Sequence, residues 1–431
     1  MQTITKTEPI KDKLISAFNA VKSNLYGDAA ARLEAISSFD KLGIPNRKNE
    51  EYKYVNVELI LKDNFGLQPT QTLTAEQIKS TKFLEQATVI VIENGFFSKQ
   101  LSSLATLPKG LRVVNIQEAG NDNAFLNAYS KLADIHSDAF IALNTAMTNG
   151  GVYIHVADNA IIEAPIHIIQ LSSATSNTII QPRVFIHVGK NAQANVVQSF
   201  ESVNTTAKTF NNTVTEIVID EQAIVNHYQI ENEGTYGHLV NTTQTYQKSK
   251  SVFSTYVFTL SGSFVRNNLN MVLDDERIES HLYGLYLTND HQVLDNHTLV
   301  DHRKPNCNSN ELYKGIIEEK SSATFNGKIF VRKDAQQTNA FQSNKNILLS
   351  DDGTINTKPQ LEIYANDVKC SHGTSTGKLD EDKIFYLRAR GLSETSAKKM
   401  LMHAFASEVV ENVTLESLRK YIEEKISKRF E

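Results

Sequence analysis

Val152-Tyr-Ile-His-Val-Ala-Asp-Asn-Ala160 recurs in the chain as Val184-Phe-Ile-His-Val-Gly-Lys-Asn-Ala192, and this repeat decides the fold. Each stretch is a run of strand-forming residues that ends in a polar turn with a final Ala. Ile219-Asp-Glu-Gln-Ala223 repeats the turn once more at almost the same spacing. Such a strand–turn–strand period is typical of a parallel β-solenoid, where each coil buries its inner face by stacking on its neighbours. Asn tolerates the left-handed backbone of such turns and can hydrogen-bond between coils.

Runs of strand-forming residues continue well beyond these units. Short runs rich in Val, Ile, Thr, Tyr and Phe alternate with Asn, Asp, Gly and Ser from about residue 139 to residue 378. A β-sandwich would also show strands at roughly 8- to 12-residue intervals, so it remains the alternative fold, and the near-regular repeat of whole units favours the solenoid. We therefore predict three units: a mainly helical N-terminal domain with short strands (1–138), a β-helix core (139–378) and a C-terminal helical domain (379–431).

Helical periodicity marks both ends of the chain. Leu14, Phe18 and Leu25 lie on one helix face, and a second amphipathic pattern ends at Gly43-Ile-Pro45, which is a helix stop signal. Near the other end, Ser393 and Thr414 are predicted N-caps of the last two helices. Their apolar stripes would pack on each other and on the end of the solenoid, which leaves a partner-docking surface. The proposed docking stripe consists of Met400, Leu401, Phe405 and Val409.

Composition excludes several classes of protein. With 40% hydrophobic residues in 431, the chain has enough apolar material for a large core. A net charge of -5 (44 Lys+Arg, 49 Asp+Glu) argues against a nucleic-acid partner. The apolar run Val89-Ile-Val-Ile92 is far shorter than the roughly 20 residues of a membrane span. No secretory signal pattern is visible, and two distant cysteines suit a reducing compartment, so we expect a cytoplasmic protein.

Few residues suggest catalysis. Asp274-Asp-Glu276 would supply carboxylates to a β-helix enzyme acting on carbohydrate, but adjacent strand residues point to opposite faces, so a solvated turn is the simpler interpretation. Comparable positions of His155, His187 and His227 predict a stacked histidine column, either a metal site or one exposed face of a sheet. An acyl-transferring β-helix enzyme is the other alternative, although the sequence has no hexapeptide repeat.

Cys370-Ser-His372 is the sharpest chemical feature of the chain. Positions two apart on a strand face the same side, so a thiol and an imidazole would meet one ligand. Such a pair binds a soft metal ion or carries sulfur, and a partner chain would have to complete the site. The alternative is a buried packing Cys beside a turn His. The other cysteine, Cys307, has no evident role.

Several stretches together resemble the SufB/SufD family of iron–sulfur cluster assembly scaffolds. They are Tyr364-Ala-Asn-Asp-Val-Lys-Cys-Ser-His-Gly-Thr374, Leu299-Val-Asp-His-Arg-Lys-Pro305, Glu311-Leu-Tyr-Lys-Gly315, Asn326-Gly-Lys328 and Ile44-Pro-Asn-Arg-Lys-Asn-Glu-Glu-Tyr-Lys-Tyr54. The resemblance covers nearly the whole chain. Tyr52 stands where the family commonly has Trp. The short N-terminal helices and the lack of a cysteine-rich N-terminal region are more similar to SufD than to SufB.

This resemblance implies a right-handed parallel β-helix with helical domains at both ends and no catalytic turnover. It implies pairing with a SufB-like subunit through the β-helix, or a homodimer in its absence, and docking of a SufC-like ABC ATPase on the C-terminal helices. The family histidine of the assembly interface maps onto His372, with Cys370 beside it. The resemblance further implies a transient iron–sulfur cluster and associated reduced flavin in the complex, with no tightly bound cofactor in the isolated chain.

Overall fold

The computed structural model describes residues 10–63, 65–66, 73–120, 122–203 and 205–430. The α-helices within these ranges are α1 (Ile10–Val21), α2 (Ala29–Leu42), α3 (Val57–Ile60), α4 (Asn123–Ala128), α5 (Ala139–Met147), α6 (Glu381–Ala389), α7 (Glu394–Val410) and α8 (Glu416–Arg429). The strands are β1 (Thr88–Glu93), β2 (Phe96–Ser98), β3 (Leu111–Asn115), β4 (Gly151–Val156), β5 (Ile161–Ser172), β6 (Thr178–Ile180), β7 (Arg183–Val188), β8 (Gln193–Ser202), β9 (Thr209–Ile219), β10 (Ile224–Asn232), β11 (Gly237–Gln247), β12 (Val252–Ser261), β13 (Phe264–Leu273), β14 (Glu279–Thr288), β15 (Val293–His302), β16 (Asn308–Ile317), β17 (Ser322–Val331), β18 (Thr338–Leu348), β19 (Thr354–Ile363) and β20 (Val368–Gly377).

The strands form two ten-stranded sheets that face each other along a parallel β-solenoid. Sheet 1 has the order β2-β1-β5-β8-β10-β12-β14-β16-β18-β20. Sheet 2 has the order β19-β17-β15-β13-β11-β9-β7-β4-β3, with β6 paired to β9. From β7 to β20, consecutive strands alternate between the sheets and pair in parallel with the strand one coil away. The predicted mainly β, solenoid fold with helices at both ends is confirmed, and the sandwich alternative is wrong.

The repeat seen in the sequence sets the register of the coils. His155 of β4 pairs with His187 of β7, and Gln193 lies between Ile161 and Ile224 in adjacent coils. Three turn residues adopt left-handed backbone, with φ values of 61°, 54° and 59° for Asn159, Asn191 and Gln222. The Asn191 amide donates to Oδ1 of Asn159 over 3.0 Å, which confirms the predicted hydrogen bond between coils.

The space between the sheets is apolar at the start of the solenoid and becomes mixed further along. Ile154, Ile186 and Ile217 belong to one continuous apolar cluster. Further along, buried polar side chains face inward, and many of them hydrogen-bond to one another. The Glu231 carboxylate, for example, accepts from Thr259 over 2.6 Å and from Asn267 over 3.0 Å. Burial raises the pKa of Glu231 because no cation compensates the loss of solvent there.

The N-terminal segment packs on the solenoid and also supplies strands to it. Leu14 and Phe18 are buried on one face of α1, as their spacing predicts, and α2 ends at Gly43 with a φ of 68°. Strand β1 joins sheet 1 in parallel with β5, whereas β2 and β3 pair antiparallel at the ends of the two sheets. The domain limits drawn from the sequence stay a prediction.

The C-terminal helices α7 and α8 cover the outer face of sheet 1. Tyr228, Tyr256 and Tyr283 form a stack on that face, with ring centroids 4.5 and 4.9 Å apart, and they pack with Met402 and Ile422. Packing on the end of the solenoid, as the sequence suggested, is therefore wrong. The outward positions of β10, β12 and β14 are apolar, so the helices bury more apolar area along the side than at the end.

Candidate functional site

The last strand of sheet 1 carries both residues that the sequence singles out for chemistry. Parallel pairing with β18 places Cys370 opposite Ala340 and His372 opposite Gln342. Because the two positions are two apart on β20, they face the same side of the sheet. β20 lies at the end of its sheet, so its second edge pairs with no described strand. A partner chain can therefore approach this edge directly.

Cys370 and His372 lie in different environments. Cys370 is half-buried against an apolar cluster that includes Val331 and Ala340, and this burial raises the pKa of its thiol. A thiol with a raised pKa is a poor nucleophile until a metal or a cation stabilises the thiolate. The imidazole of His372 is exposed to solvent. In the free chain Cys370 therefore acts as a packing residue, and His372 is open to a ligand.

Two buried polar residues lie directly behind His372 in the same column of the sheet. Glu311 pairs with Gln342, and Gln342 pairs with His372, on the adjacent strands β16, β18 and β20. The Glu311 carboxyl accepts from Thr298 and from Nε2 of Gln342, each over 2.7 Å. The Gln342 amide packs against Gly327. A Cβ at position 327 would lie 2.1 Å from Nε2 of Gln342. This column was not predicted from the sequence, although its three members follow one another at close to the coil period.

Cys307 occupies a turn and is fully buried. Its Sγ donates to the carbonyl oxygen of Asp275 over 3.2 Å, and burial raises the pKa of the thiol to about 11. A thiol with that pKa is almost wholly protonated at neutral pH. Cys307 is therefore a structural residue in this chain.

Two of the three members of the predicted histidine column are in contact. Nδ1 of His155 lies 3.0 Å from Nδ1 of His187, whose Nε2 lies 2.8 Å from Asp220. The third position of the column is Val218, and His227 is buried in sheet 1, where burial lowers its pKa to about 3. Including His227 was wrong. Across the described ranges, no group of three or more His, Cys, Asp or Glu side chains is placed to hold a metal ion.

The acidic stretch at 274–276 is a turn between β13 and β14. Asp274 is exposed and pairs with Arg303 over 3.2 Å. The interpretation as a solvated turn is confirmed, and the paired carboxylates of a glycoside-cleaving site do not form there.

The N-terminal motif at 44–54 packs on the outer face of sheet 2 and holds the surrounding segment there. The Tyr52 ring lies 3.8 Å from the guanidinium of the buried Arg266, and its hydroxyl donates to Asp138 over 2.7 Å. Arg266 pairs with Asp295, and His297 bridges Asp295 and Glu51 over 2.8 and 3.2 Å. Tyr52 and Glu51 of this motif therefore have a structural role.

The motif at 311–315 fastens helix α7 to the solenoid. The nearly buried ammonium of Lys314 donates to the carbonyl oxygen of Phe405 over 2.7 Å, lies 4.2 Å from the Phe405 ring and pairs with Glu408. Gly315 is required because a Cβ there would come within 2.1 Å of the Tyr286 ring.

The predicted docking stripe on α7 is divided between surface and core. Met400 is 54% exposed, Leu401 and Phe405 are half-buried, and Val409 is fully buried. Two exposed aromatic residues of α6 were not predicted from the sequence. They are Phe385, 74% exposed, and Tyr386, 57% exposed. They directly follow the buried Ile384, and helical periodicity could have identified them as apolar residues of a second helix face.

None of the helices in the described part of the chain has the length and apolar character needed to cross a membrane.

Comparisons with known proteins cover most of the chain. Residues 169–405 match the family model of the SUF system FeS cluster assembly SufBD core domain, and residues 17–168 match that of the SufBD protein N-terminal region. The core match spans all strands from β6 to β20 and extends into α7.

Three curated relatives align over nearly their full lengths. An iron–sulfur cluster assembly SufBD family protein from Synechocystis is 30% identical over 410 residues, 92% of this chain and 90% of the relative. The iron–sulfur cluster assembly protein SufD of Escherichia coli is 28% identical over 393 residues, 90% of each chain. Protein ABCI7, chloroplastic, from Arabidopsis thaliana is 27% identical over 384 residues, 87% of this chain and 80% of the relative.

Proposed function

Since this chain belongs to the SufB/SufD family of SUF iron–sulfur cluster assembly proteins, we propose that it is a SufD-like scaffold subunit without catalytic turnover. It pairs with a SufB-like subunit through the solenoid and docks a SufC-like ABC ATPase, where the ATP hydrolysis takes place. The near full-length similarity to a SufD protein supports the SufD-like assignment. A cytoplasmic location is part of the proposal.

One observation carries the proposal for the assembly site: the unpaired edge of β20 presents an exposed imidazole beside a cysteine. His372 and Cys370 share one face of an edge strand, and strand edges readily pair with another chain. In the complex, the partner chain covers this edge and contributes further ligands to the cluster, which is the cargo of the complex. When the SufB-like partner is absent, two copies of this chain pair through the same edges.

The ATPase docks on the exposed apolar side chains of the C-terminal helices. Phe385, Tyr386 and Met400 are each more than half exposed, whereas the opposite face of α7 is committed to sheet 1. Exposed aromatic residues and Met are enriched at protein interfaces. Of the stripe proposed from the sequence, Met400 is therefore the residue that reaches the ATPase, and Val409 acts from the core.

The test is cluster assembly by the three-component complex reconstituted with His372→Ala. We expect the cluster yield to fall by about tenfold or more, as for loss of a metal ligand or its immediate support. The melting temperature should stay unchanged, because an exposed side chain contributes little to stability. His291→Ala is the matched control, since its imidazole is also exposed but lies in a turn of the solenoid.

An unchanged cluster yield with His372→Ala would exclude the assembly role of the β20 edge. A large fall in melting temperature would show instead that the imidazole is structural. Polysaccharide cleavage by the lone chain would replace the scaffold proposal with the enzyme alternative.

A further inference from the structure

A crevice of about 340 Å³ lies between the start of α2, helix α4 and the end of α5. We call it the α2–α4 crevice and define it by Tyr26, Arg32, Phe125, Leu126, Tyr129 and Asn149. That volume lies near the lower end of the range of about 300–1,000 Å³ found for small-molecule pockets.

The floor of the crevice is a stacked aromatic pair. The rings of Phe125 and Tyr129 lie 4.5 Å apart and are nearly parallel. At the mouth, Tyr26 is 44% and Leu126 is 49% exposed. Aromatic faces in such a slot favour a flat ring in offset stacking, and an apolar crevice with a few polar groups is the usual form of a small-molecule site.

The wall of the crevice holds the guanidinium of Arg32, which forms no ion pair with a carboxylate of any described residue. Nε and Nη2 of Arg32 donate to the Tyr26 carbonyl, and Nη1 donates to the carbonyl of Ala146 over 2.8 Å. The titratable groups that act on Arg32 are Tyr129 and a second cation, Arg183. The end of α5 supplies only about half a negative charge, so a net positive charge remains.

The other charges around the crevice are already engaged. Glu216 pairs with Arg183 over 2.7 Å and also accepts from the backbone N–H groups of Ser130 and Leu132. Asp28 on the rim is the N-cap of α2, and Lys131 on the rim donates to the Leu126 carbonyl. Asp28 and Lys131 add one negative and one positive charge to the lining, so its net charge equals that of Arg32.

A hydroxyl beside Arg32 is available to a ligand. The Tyr129 hydroxyl makes no hydrogen bond to any described residue, and burial raises its pKa, so it is a neutral donor at physiological pH. The crevice therefore combines an aromatic floor, an unbalanced guanidinium and a free phenolic O–H. We propose that the α2–α4 crevice is a binding site for a small aromatic carboxylic acid, whose ring packs between Tyr26, Leu126 and the Phe125–Tyr129 pair and whose carboxylate meets Arg32 and Tyr129. This site is separate from the β20 edge.

The test is titration calorimetry of the full-length chain with three acids and their amides: benzoate, 4-hydroxybenzoate and indole-3-acetate, each against its neutral carboxamide. At least one acid is expected to bind with a Kd below about 1 mM, and its amide at least tenfold more weakly. The Leu126→Glu variant, which adds a negative charge at the mouth, should weaken binding of that acid by at least tenfold. Leu33→Glu, at a 51% exposed position of α2 outside the crevice, is the matched control and should bind as the parent does.

Equal affinity for an acid and its amide would overturn the proposed role of Arg32. Absence of binding by all three acids, or equal weakening by Leu33→Glu and Leu126→Glu, would overturn the site itself. Cluster assembly by the complex is measured separately, so failure of the crevice and failure of the β20 edge are distinguishable.

Discussion

Replacing Glu311 with Gln should make the protein more stable at neutral and alkaline pH and leave its stability at low pH unchanged. Glu311 is 5% exposed, and burial raises the pKa of its carboxyl from the ordinary 4.5 to about 7. The groups that face it are Thr298 and Gln342, both neutral, and Tyr313 lies two residues along the strand. No cation among the described residues supports an ionised Glu311.

The hydrogen bonds around Glu311 also fit a protonated carboxyl. Oε1 of Gln342 is buried and has no partner, while Nε2 donates to Glu311. The oxygen and nitrogen of an amide exchange places when the group is turned over. After that exchange, a protonated Glu311 donates its O–H to Oε1 of Gln342 and still accepts from Thr298. A Gln at position 311 makes the same two hydrogen bonds without ever becoming charged.

The magnitude follows from linkage between protonation and folding. Because the folded protein holds the proton more tightly, the stabilising contribution of the protonated group is complete below pH 4.5 and is lost as the pH rises towards 7. A pKa difference of about 2.5 units corresponds to about 3 kcal/mol of unfolding free energy. Glu311→Gln should therefore match the parent near pH 4.5 and exceed its stability by about 3 kcal/mol at pH 8.

The assay is urea denaturation followed by circular dichroism at pH 4.5, 6, 7 and 8 for the parent and the variant. Glu163→Gln is the control, since it makes the same chemical change at an exposed position of β5. A Glu311→Gln variant that is destabilised by a similar amount at every pH would refute the reasoning, because it would show that the ionised carboxylate is needed.

Two further predictions concern the motif glycines and the docking surface. Gly315→Ala should lower the unfolding free energy by about 1–3 kcal/mol, because the new Cβ would meet the Tyr286 ring, whereas Gly373→Ala should change it by less than about 0.5 kcal/mol, because no atom lies within 4 Å. Urea denaturation of both variants checks this, and equal losses would contradict it. Met400→Glu should weaken ATPase binding at least tenfold in titration calorimetry with an unchanged melting temperature; unchanged affinity would remove Met400 from the docking surface.

Much of the solenoid could be predicted because each coil repeats a local pattern. The turn that ends in Ala160 and Ala192 fixes the register of strands on both sides, so the contact between His155 and His187 follows from their separation by one coil period. Ser393 was correctly predicted as an N-cap, because its hydroxyl accepts from the backbone N–H of Ser396. These features depend on neighbours in sequence or on a single coil period.

The errors arose where the chain changes sheet or meets a distant element. His227 follows its turn, whereas His155 and His187 precede theirs, so it lies in the other sheet. Leu415 is the N-cap residue of α8, and the hydroxyl of Thr414 instead bonds with Tyr228 over 2.8 Å. The alternation of side chains along a strand separates two faces of the sheet. It does not show which face is inward, especially in sheet 1, where helices bury the outer face as well.

In the candidate site too, some features follow from the local sequence pattern and others depend on distant contacts. The strand spacing placed Cys370 and His372 on one face, but the partial burial of Cys370 depends on Val331, which lies on β17 in the opposite sheet. The split of the α7 stripe between surface and core depends on where the helix meets sheet 1. Lys314 fixes that meeting through Phe405 and Glu408, and helical periodicity carries no information about such contacts.

The two ends of the solenoid are built differently, and this difference limits how large an assembly can become. At the start, the sheets finish in the antiparallel strands β2 and β3, of three and five residues, and short edge strands offer little to pair with. At the other end, β19 and β20 each present ten residues. If chains pair through this end, as proposed above, each chain uses its one pair of long edge strands in the first contact, and association through the solenoid stops at a pair. Long unpaired edge strands at both ends of the solenoid would instead have allowed fibres to grow without limit.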